Sequence, residues 1–505
     1  MMILIMLIAN ILFRQFFQIQ VNSMRLMIFL VAFFNLSWSC IAQEVSLELS
    51  YFGRGNIEVE GTLNRSDENS WSFVNEYAEQ TDLRDRIVNL KFFDEAGREL
   101  PLERLSDGRF KLDPKAKYFK YEVISKPDNE ISANVSWVDE QVGLLLLNDL
   151  MPVELLGKKS IISFKLPNGW RVVSSELQLT PTNFLVLNPE KAVFLIASDI
   201  RIQTIKVGVA KIGICFIGDL DFNENEAIES IKEIFSFYQH KFGSTRFSEV
   251  RLFVIPFPDK NERLNSWRAE TRGATVTIIF APPVFKSNAL NLLNDQLRHE
   301  LLHLWIPNSL NLSGRYDWFF EGFVVYQSLK AGVFLGQIRF DDFLATISRG
   351  YSFLQNSRRL SLIEASLRRW YDTNKILYAK GLIVAFLTDM KLIRLNGLNS
   401  EELLAEILKK HGINSARQDG NQAIIRILSE YKGAREVVTK HIEGDESPSL
   451  SDELVFFGLT LTSDATMPKV TLLQNLNSQQ RNLLNKLGYN QWRNKKLPQM
   501  KLSRK

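Results

Sequence analysis

The sequence predicts a multidomain α+β protein with an N-terminal β-sandwich-like domain and a C-terminal helical region. Its length is the first observation, since 505 residues correspond to about three domains of roughly 150 residues each. The second is composition, because 45% hydrophobic and 11% aromatic residues are sufficient for several packed cores. The third is a change of hydrophobic period near Phe222, from alternating runs before it to helical spacing after it.

The first 42 residues have the pattern of an export signal. They contain no acidic residue, and their second apolar run follows Met24 and Arg25 and leads to a Cys-Ile-Ala end. A positive charge, a short apolar core and small residues at the end are typical of a secretory signal. We therefore expect translation to start at Met24 and the protein to be exported to the periplasm or the extracellular space.

Two alternatives for residues 1–42 involve attachment to a membrane. An uncleaved N-terminus would anchor the protein, although Arg14 divides it into apolar stretches that are short for a membrane span. Lipid attachment at Cys40 is less favoured, because Trp38 stands where small residues are expected. If the segment is removed, Cys215 is the one remaining cysteine, so we expect no intramolecular disulfide.

Residues 43–207 are predicted to form the N-terminal β domain. Short runs of alternating apolar residues recur here, separated by Gly, Asn, Asp and Pro, and this pattern is typical of a β-sandwich. The clearest predicted strands are Val45–Leu49, Ile57–Val59, Ile87–Phe93, Ser160–Leu166 and Ala192–Ser198.

Helical periodicity dominates the next part of the chain, which we divide into a domain at 208–395 and a helical region at 396–445. Within residues 208–395, two apolar strands are predicted between the helices. The predicted strands are Arg251–Ile255 and Ala274–Phe280, and the predicted helices run from about Ala227 to Gly243, from an N-cap at Ser287 to Pro307, and over Trp318–Leu329, Ile376–Arg394 and Ser400–Lys410.

Residues 446–505 are predicted to be a basic tail. Positions 467–505 carry nine basic and no acidic side chains, and one short helix is expected there, capped by Ser478 and closed by Gly488. Such a terminus is commonly solvated and partly disordered, with contact to a membrane surface or to the rest of the chain as the alternative. Because the net charge of the whole chain is only +4, the body is mildly acidic, which argues against a nucleic-acid partner.

Two of the five histidines lie on one predicted helix, in the sequence His299-Glu300-Leu301-Leu302-His303. Residues four apart share a helix face, so both imidazoles can bind a single metal ion. Zinc suits such a site, with a fourth position left for water. Glu300 is close enough to act on that water without being a ligand. The alternative is a coincidence of two structural histidines.

A third metal ligand is expected nearby in the sequence. The histidine that metzincins have six positions after His303 is missing, because Ser309 stands there. Glu321 lies in an otherwise apolar helix start, where a buried carboxylate is costly unless it is paired or binds a metal. A helix, a short loop and a second helix would bring Glu321 opposite the histidines. The alternative is an exposed Glu321 favoured by the helix dipole.

With these motifs the sequence resembles the gluzincin metallopeptidases of the alanyl-aminopeptidase and leukotriene-hydrolase type, and equally the glycyl aminopeptidases. The resemblance rests on His299-Glu-Leu-Leu-His-Leu-Trp305, on Trp318-Phe-Phe-Glu-Gly-Phe323 and on Tyr378-Ala-Lys-Gly381. It implies a thermolysin-like catalytic domain at 208–395. One departure is the spacing between the second His and the Glu, which is seventeen residues here and eighteen in the alanyl type.

The resemblance also implies a metal site and a mechanism. His299, His303 and Glu321 would hold Zn²⁺, and Glu300 would act as the general base. The hydroxyl of Tyr378 would stabilise the oxyanion of the tetrahedral intermediate.

A second departure concerns substrate binding. The family has a Gly-x-Met-Glu-Asn edge strand whose Glu holds the substrate's α-amino group, and residues 273–277 are the matching stretch here. Gly273 and Ala274 are therefore predicted to bind the substrate backbone. Val276 stands in place of the amine-binding carboxylate, and Glu270 is the nearby alternative.

The sequence thus predicts zinc-dependent hydrolysis of a peptide or protein substrate, with exo- or endopeptidase specificity left open. The alternative is a zinc-containing scaffold that binds peptides or a partner without cleaving them. Retention of Glu300 and Tyr378 favours the enzyme, because a scaffold requires neither. No nucleic-acid partner is expected, and membrane association is expected only through the N-terminal segment.

Overall fold

The computed structural model describes residues 45–53, 55–63, 69–78, 80–105, 107–126, 132–257, 266–369, 373–464 and 467–490. The predicted export segment, residues 1–42, lies outside these ranges. Within them the architecture is mixed α+β, as predicted, with three large sheets and a layer of helices. No helix in these ranges is long and apolar enough to cross a bilayer.

The N-terminal part of the chain forms two sheets and a small three-stranded one. Its elements are β1 (Val45–Tyr51), β2 (Asn56–Leu63), β3 (Ser70–Trp71), β4 (Ile87–Phe93), β5 (Glu99–Leu100), β6 (Glu103–Arg104), β7 (Phe110–Lys111), β8 (Tyr118–Ile124), β9 (Trp137–Val138), β10 (Val142–Leu146), the short helix α1 (Leu147–Leu150), β11 (Ser160–Lys165), β12 (Arg171–Ser174), β13 (Leu177–Thr180), β14 (Asn183–Val186) and β15 (Val193–Ala197). The sheet orders are β13-β14-β11-β1-β2-β8-β4-β5, β12-β15-β10-β9 and β3-β7-β6.

A third large sheet follows, made of β16 (Arg201–Val207), β17 (Ala210–Phe216), β18 (Glu249–Pro256), β19 (Trp267–Arg272) and β20 (Thr275–Phe280). Its order is β16-β17-β18-β20-β19, so β19 is an edge strand and β20 is internal. Strands β16 and β17 form an antiparallel hairpin. The predicted domain boundary at residue 207 therefore falls inside a hairpin, and residues 201–207 pair with this third sheet.

The four-stranded sheet is covered on both faces, which explains the continuous apolar runs of β10 and β15. Leu145 and Phe194 belong to the core shared with the eight-stranded sheet. Their neighbours Leu144 and Leu195 belong to a second core, shared with Phe253 and other residues of the third sheet. The three large sheets are thus stacked, and the helices pack on the far face of the third sheet.

The remaining elements are largely helical. They are α2 (Glu224–Phe242), α3 (Ala289–His303), β21 (Leu312–Ser313), α4 (Asp317–Phe334), α5 (Phe340–Gln355), α6 (Leu362–Leu367), α7 (Asn374–Leu395), α8 (Ser400–His411), β22 (Gln418–Asp419), α9 (Gly420–Glu430), α10 (Ala434–Val437), α11 (Ser451–Leu454), β23 (Leu459–Asp464), β24 (Met467–Leu472) and α12 (Ser478–Lys486). All predicted helices are present with shifted ends.

Two predicted helix starts need correction. Ser287 does not cap α3, because it lies in a 3₁₀ turn, and the helix begins at Ala289 after Asn288. The N-cap of α12 is Asn477, whose side chain accepts a hydrogen bond from the backbone N–H of Gln480. In both cases the observed N-cap lies one position away from the predicted N-cap. Sequence propensity alone does not resolve a difference of one residue.

The described part of the predicted basic tail packs against the rest of the chain, which was the alternative to a solvated terminus, and residues 491–505 lie outside the described residues. Residues 451–490 contain two helices and the β23–β24 hairpin. Leu459, Val470, Leu484 and Leu487 are buried in the same core as the helices that carry the predicted site. The segment is ordered because these apolar side chains cover α5 and its neighbours, while its basic side chains remain outside this core.

Candidate metal centre and active site

Helix α3 presents both motif histidines on one face, because the opposite stripe of leucines is buried in the main core. The Nε2 atoms of His299 and His303 lie 3.0 Å apart. The Nδ1 atom of His303 is 2.8 Å from the carbonyl oxygen of Ile306. Since a carbonyl can only accept, Nδ1 carries the proton in the neutral ring, and the lone pair of Nε2 points toward His299.

Glu321, on α4, completes the cluster. Its Oε2 atom lies 3.4 Å from Nε2 of His299 and 3.7 Å from Nε2 of His303. A tetrahedral zinc ion with ligands at about 2.0–2.1 Å separates its ligand atoms by about 3.3–3.5 Å, so the three side chains fit such an ion. In the part of the chain that the structure describes, no other group of His, Cys, Asp and Glu side chains has this arrangement.

Burial and the neighbouring charges shift the pKa values of these ligands in opposite directions. Burial alone would raise the pKa of Glu321, but Arg369 and the two histidines hold it well below its usual range. Burial likewise opposes the charged form of His303, yet hydrogen bonding to Glu321 and its negative charge raise that pKa to about 9. Glu321 is therefore ionised at neutral pH, which is the form that a metal requires.

Tyr378, on α7, reaches the same carboxylate. Its hydroxyl donates a hydrogen bond of 2.8 Å to Oε2 of Glu321 and accepts one of 3.0 Å from Arg369. Burial, followed by the negative charge of Glu321, raises the pKa of Tyr378 well above its usual value. The hydroxyl therefore keeps its proton and can donate a hydrogen bond next to the candidate metal position.

Glu300 lies beside the histidines and is held by the edge strand. Its Oε2 atom accepts a hydrogen bond of 2.7 Å from the hydroxyl of Thr271 on β19. Burial raises the pKa of Glu300, although the two neighbouring imidazoles and Thr271 act in the opposite direction. A carboxylate with a raised pKa is better matched to proton transfer near neutral pH than an exposed one.

These groups open into a cavity of about 1530 Å³ between the N-terminal sheets, β19 and the helices. The N-terminal part contributes Tyr77, Ser132 and Asn148 to its wall. The metal side is formed by the following residues: His299, Glu300, His303, Asp317, Glu321, Arg369 and Tyr378. Sequence reasoning missed Arg369 and the N-terminal wall, because neither has a local pattern that distinguishes it from an ordinary surface or core position.

The predicted substrate-binding residues lie elsewhere. Gly273 and Ala274 form the turn between β19 and β20 and do not line the cavity, and Val276 lies on the internal strand β20 with its side chain fully buried. Assignment of residues 273–277 to the edge strand is therefore wrong. The apolar sequence of β20 marks it as a strand, whereas β19 contains Arg, Glu and Thr and is recognised as the edge only from the order of the sheet.

The edge strand brings Glu270 to the cavity instead. Its Oε1 atom accepts hydrogen bonds of 2.7 Å from the hydroxyl of Tyr77 and 3.0 Å from Nε of Arg272. Its other oxygen is buried and has no hydrogen-bond partner among the described residues. A buried carboxylate oxygen without a partner is uncommon, and here it lies on the wall of the candidate site.

Comparisons with known proteins concern the N-terminal part of the sequence and the fold. Residues 77–190 match the Peptidase M61 N-terminal domain family. No curated protein sequence matches the chain.

Solved structures share the fold at low sequence identity. An aminopeptidase N family protein from Idiomarina loihiensis is 15% identical, with a TM-score of 0.71 over 86% of this chain and 82% of that one. An M1 zinc metallopeptidase from Deinococcus radiodurans is 12% identical, with a TM-score of 0.53 over 81% of this chain and 95% of that one. A mutant of the latter, with a TM-score of 0.52, has been solved bound to the substrate Tyr-Ser-Ala. The chain thus resembles gluzincin-type peptidases of the aminopeptidase kind, in its fold over most of its length and in sequence over residues 77–190.

Proposed function

We propose that this protein is a zinc-dependent peptidase. The observation that carries the proposal is the convergence of His299, His303 and Glu321 with Glu300 and Tyr378 at one wall of a large cavity. The ligand separations fit tetrahedral zinc, which when bound polarises a carbonyl and acidifies a water molecule. The fold shared with M1 zinc metallopeptidases supports the same activity.

Each of the other side chains has a role in this reaction. Glu300 takes the proton of the attacking water and delivers it to the leaving amine, and Thr271 holds its carboxylate in place for that transfer. Tyr378 donates a hydrogen bond to the oxyanion that develops on the scissile carbonyl. For this its O–H bond turns away from Oε2 of Glu321, while its oxygen still accepts from Arg369.

We further propose that the enzyme acts at the free N-terminus of its substrate. Glu270 is a carboxylate on the edge strand beside the metal ligands, with one oxygen that has no partner among the described residues. An α-ammonium group would supply a charged hydrogen-bond donor to that oxygen, while Arg272 and Tyr77 stay on the other one. Release of N-terminal residues from free-amine peptides, but not from the same peptides with blocked N-termini, is the expected result; cleavage of internal bonds in blocked peptides would show an endopeptidase.

The general-base role is tested by Glu300→Gln. This substitution leaves the three metal ligands in place, so we expect one zinc per chain by elemental analysis, as in the unaltered protein. The kcat for peptide hydrolysis should fall by about 10²–10⁴-fold, because glutamine cannot accept the proton. Glu229→Gln, at an exposed position of α2, is the matched control and should keep full activity.

A zinc-containing scaffold without catalysis, the alternative that the sequence leaves open, is the second candidate. The metal-loaded protein would then bind peptides without cleaving them. A library digest analysed by mass spectrometry separates the two candidates, since any zinc-dependent cleavage that Glu300→Gln abolishes establishes the enzyme. Stoichiometric zinc with peptide binding and no products would establish the scaffold.

A further inference from the structure

Arg369 lies behind the candidate metal ligand Glu321, between α6 and α7. It is 9% exposed, so its charge requires partners within the protein. One guanidinium nitrogen, Nη1, donates to Oδ1 of Asp317 at 2.9 Å. The other, Nη2, lies 2.9 Å from Oε1 of Glu321 and 3.0 Å from the hydroxyl of Tyr378. A single side chain therefore contacts both a candidate metal ligand and a candidate catalytic hydroxyl.

The two oxygens of Glu321 have different surroundings as a result. Oε2 faces the Nε2 atoms of His299 and His303. Oε1 is bound by Arg369. A carboxylate without such a partner could turn both oxygens toward a metal ion, since bidentate coordination by Asp and Glu is common where space allows it. The guanidinium is planar and holds its donors in a fixed geometry, so it keeps Oε1 turned away from the imidazoles.

We propose that Arg369 is a positioning residue that restricts Glu321 to one metal-binding oxygen and fixes the Tyr378 hydroxyl beside it. A site with two imidazoles and one carboxylate oxygen keeps its fourth tetrahedral position open for reactants, whereas a second oxygen from Glu321 would add a ligand and make the site with its reactant five-coordinate. This role rests on the proposed function. Asp317 alone would be enough to neutralise the charge of a structural arginine, so the contacts of Arg369 with Glu321 and Tyr378 indicate this additional role.

The inference predicts an effect on the metal that does not depend on turnover. Cobalt(II) can replace zinc in sites of this kind, and its visible absorption is strong in four-coordinate sites and weaker in five-coordinate ones. Arg369→Met removes both donors while keeping an unbranched side chain of similar length. We expect its cobalt band to weaken relative to that of the unaltered protein, because Oε1 of Glu321 is released to the metal.

The same variant should lose turnover more than substrate binding. We expect kcat to fall by about 10–100-fold, as for other residues that orient metal ligands, with KM changed by less than about threefold. Arg369→Lys has one ammonium group and cannot reproduce the fork, so it should recover part of the cobalt band and part of kcat. Arg368→Met is the matched control, since Arg368 pairs with Glu364 on the surface and should leave both readouts unchanged.

The outcomes separate this role from the proposed function. A protein that binds neither zinc nor cobalt in stoichiometric amount would overturn the proposed function and the role of Arg369 with it. If the unaltered protein binds metal and Arg369→Met keeps its cobalt spectrum and kcat, only the role of Arg369 is overturned. Should Arg369→Met fail to fold, Arg369→Lys carries the test, and a spectrum and kcat identical to those of the unaltered protein would overturn the inference.

Discussion

At the scale of single residues, burial decides what the polar groups can do. Glu300 and Tyr378 have raised pKa values chiefly because they are buried, which suits a proton acceptor and a neutral hydrogen-bond donor. Glu321 is buried as well, yet its pKa is lowered, because Arg369 and two imidazoles surround it. Two buried glutamates on neighbouring helices thus differ in acidity through their partners alone.

Glu176, between β12 and β13, gives a prediction about pH. Burial raises its pKa from 4.5 to about 7. Between pH 4.5 and about pH 7 the folded protein keeps a proton that the unfolded chain has lost. The unfolding free energy therefore falls as the pH rises through this range, and Glu176 has no such effect below pH 4.5. Glu176→Gln should therefore match the unaltered protein near pH 4 and exceed its unfolding free energy by about 1–3 kcal/mol near pH 8.

Urea unfolding at both pH values measures this difference. Glu95→Gln, at an exposed position, serves as the control and should show the same small difference at pH 4 and pH 8. A Glu176→Gln variant whose stability difference does not change with pH would contradict the assignment.

At the scale of elements, the site depends on how closely α4 and α7 approach. The helices cross at Gly322 and Gly381, where a Cβ on either residue would lie 2.5–2.6 Å from the Cα of the other. Gly322 follows Glu321 directly, and Gly381 lies one helical turn after Tyr378. The two glycines therefore allow the Glu321 carboxylate and the Tyr378 hydroxyl to come within 2.8 Å of each other.

Gly322→Ala and Gly381→Ala test this crossing. Each added methyl meets backbone atoms that cannot rotate away, so we expect a loss of about 1–3 kcal/mol in the unfolding free energy. The shift of Tyr378 relative to Glu321 should reduce kcat by up to about 10²-fold. Chemical denaturation and peptide hydrolysis measure the two effects.

Gly350→Ala, in α5, is the matched control for these substitutions. Its Cβ would meet side-chain carbons of Leu382 and Ile383 on α7 at 3.3 Å or more, and these atoms can adjust. Alanine also has a higher helix propensity than glycine by about 1 kcal/mol. Comparable losses of kcat in Gly350→Ala and Gly322→Ala would show that the closest approach of the helices is not what matters.

At the scale of the whole molecule, the cavity exists because separate parts of the chain meet. The stacked sheets bring the N-terminal residues Tyr77 and Asn148 to the wall opposite the metal side, and β19 forms its edge. From the other end of the chain, residues 451–490 complete the core beneath the helices. Stability of the helical layer therefore depends on a segment far in sequence from the metal ligands.

Leu484 tests that dependence. It is fully buried, and Leu484→Ala should lower the unfolding free energy of the protein by about 2–5 kcal/mol, since it removes methyl groups and leaves a cavity. Leu473→Ala, at a position that is 37% exposed, should change it by less than about 0.5 kcal/mol. Similar effects of both substitutions in thermal or urea unfolding would show that the segment is not part of the core.

Much of the fold follows from local patterns. The strands of the N-terminal part and the helices α2, α3, α4, α7 and α8 were predictable because their apolar residues repeat with the period of the element. The β23–β24 hairpin was not predicted, because each strand has only six residues and the tail was judged by the excess of basic residues over positions 467–505. The edge strand was misassigned because β19 contains Arg, Glu and Thr, which face a cavity and not water.

The sequence by itself determined the two histidines and Glu300, because residues one and four apart on a helix have a fixed relation that needs no other part of the chain. It also indicated Glu321 through the cost of an acidic group among aromatic residues. Only the tertiary structure decided that Arg369 supports Glu321, that Gly322 packs on Gly381, and that Glu270 lines the cavity where Gly273 and Ala274 do not. These relations join segments that are far apart in the chain, and they depend on helix crossing and strand order, which local periodicity does not encode.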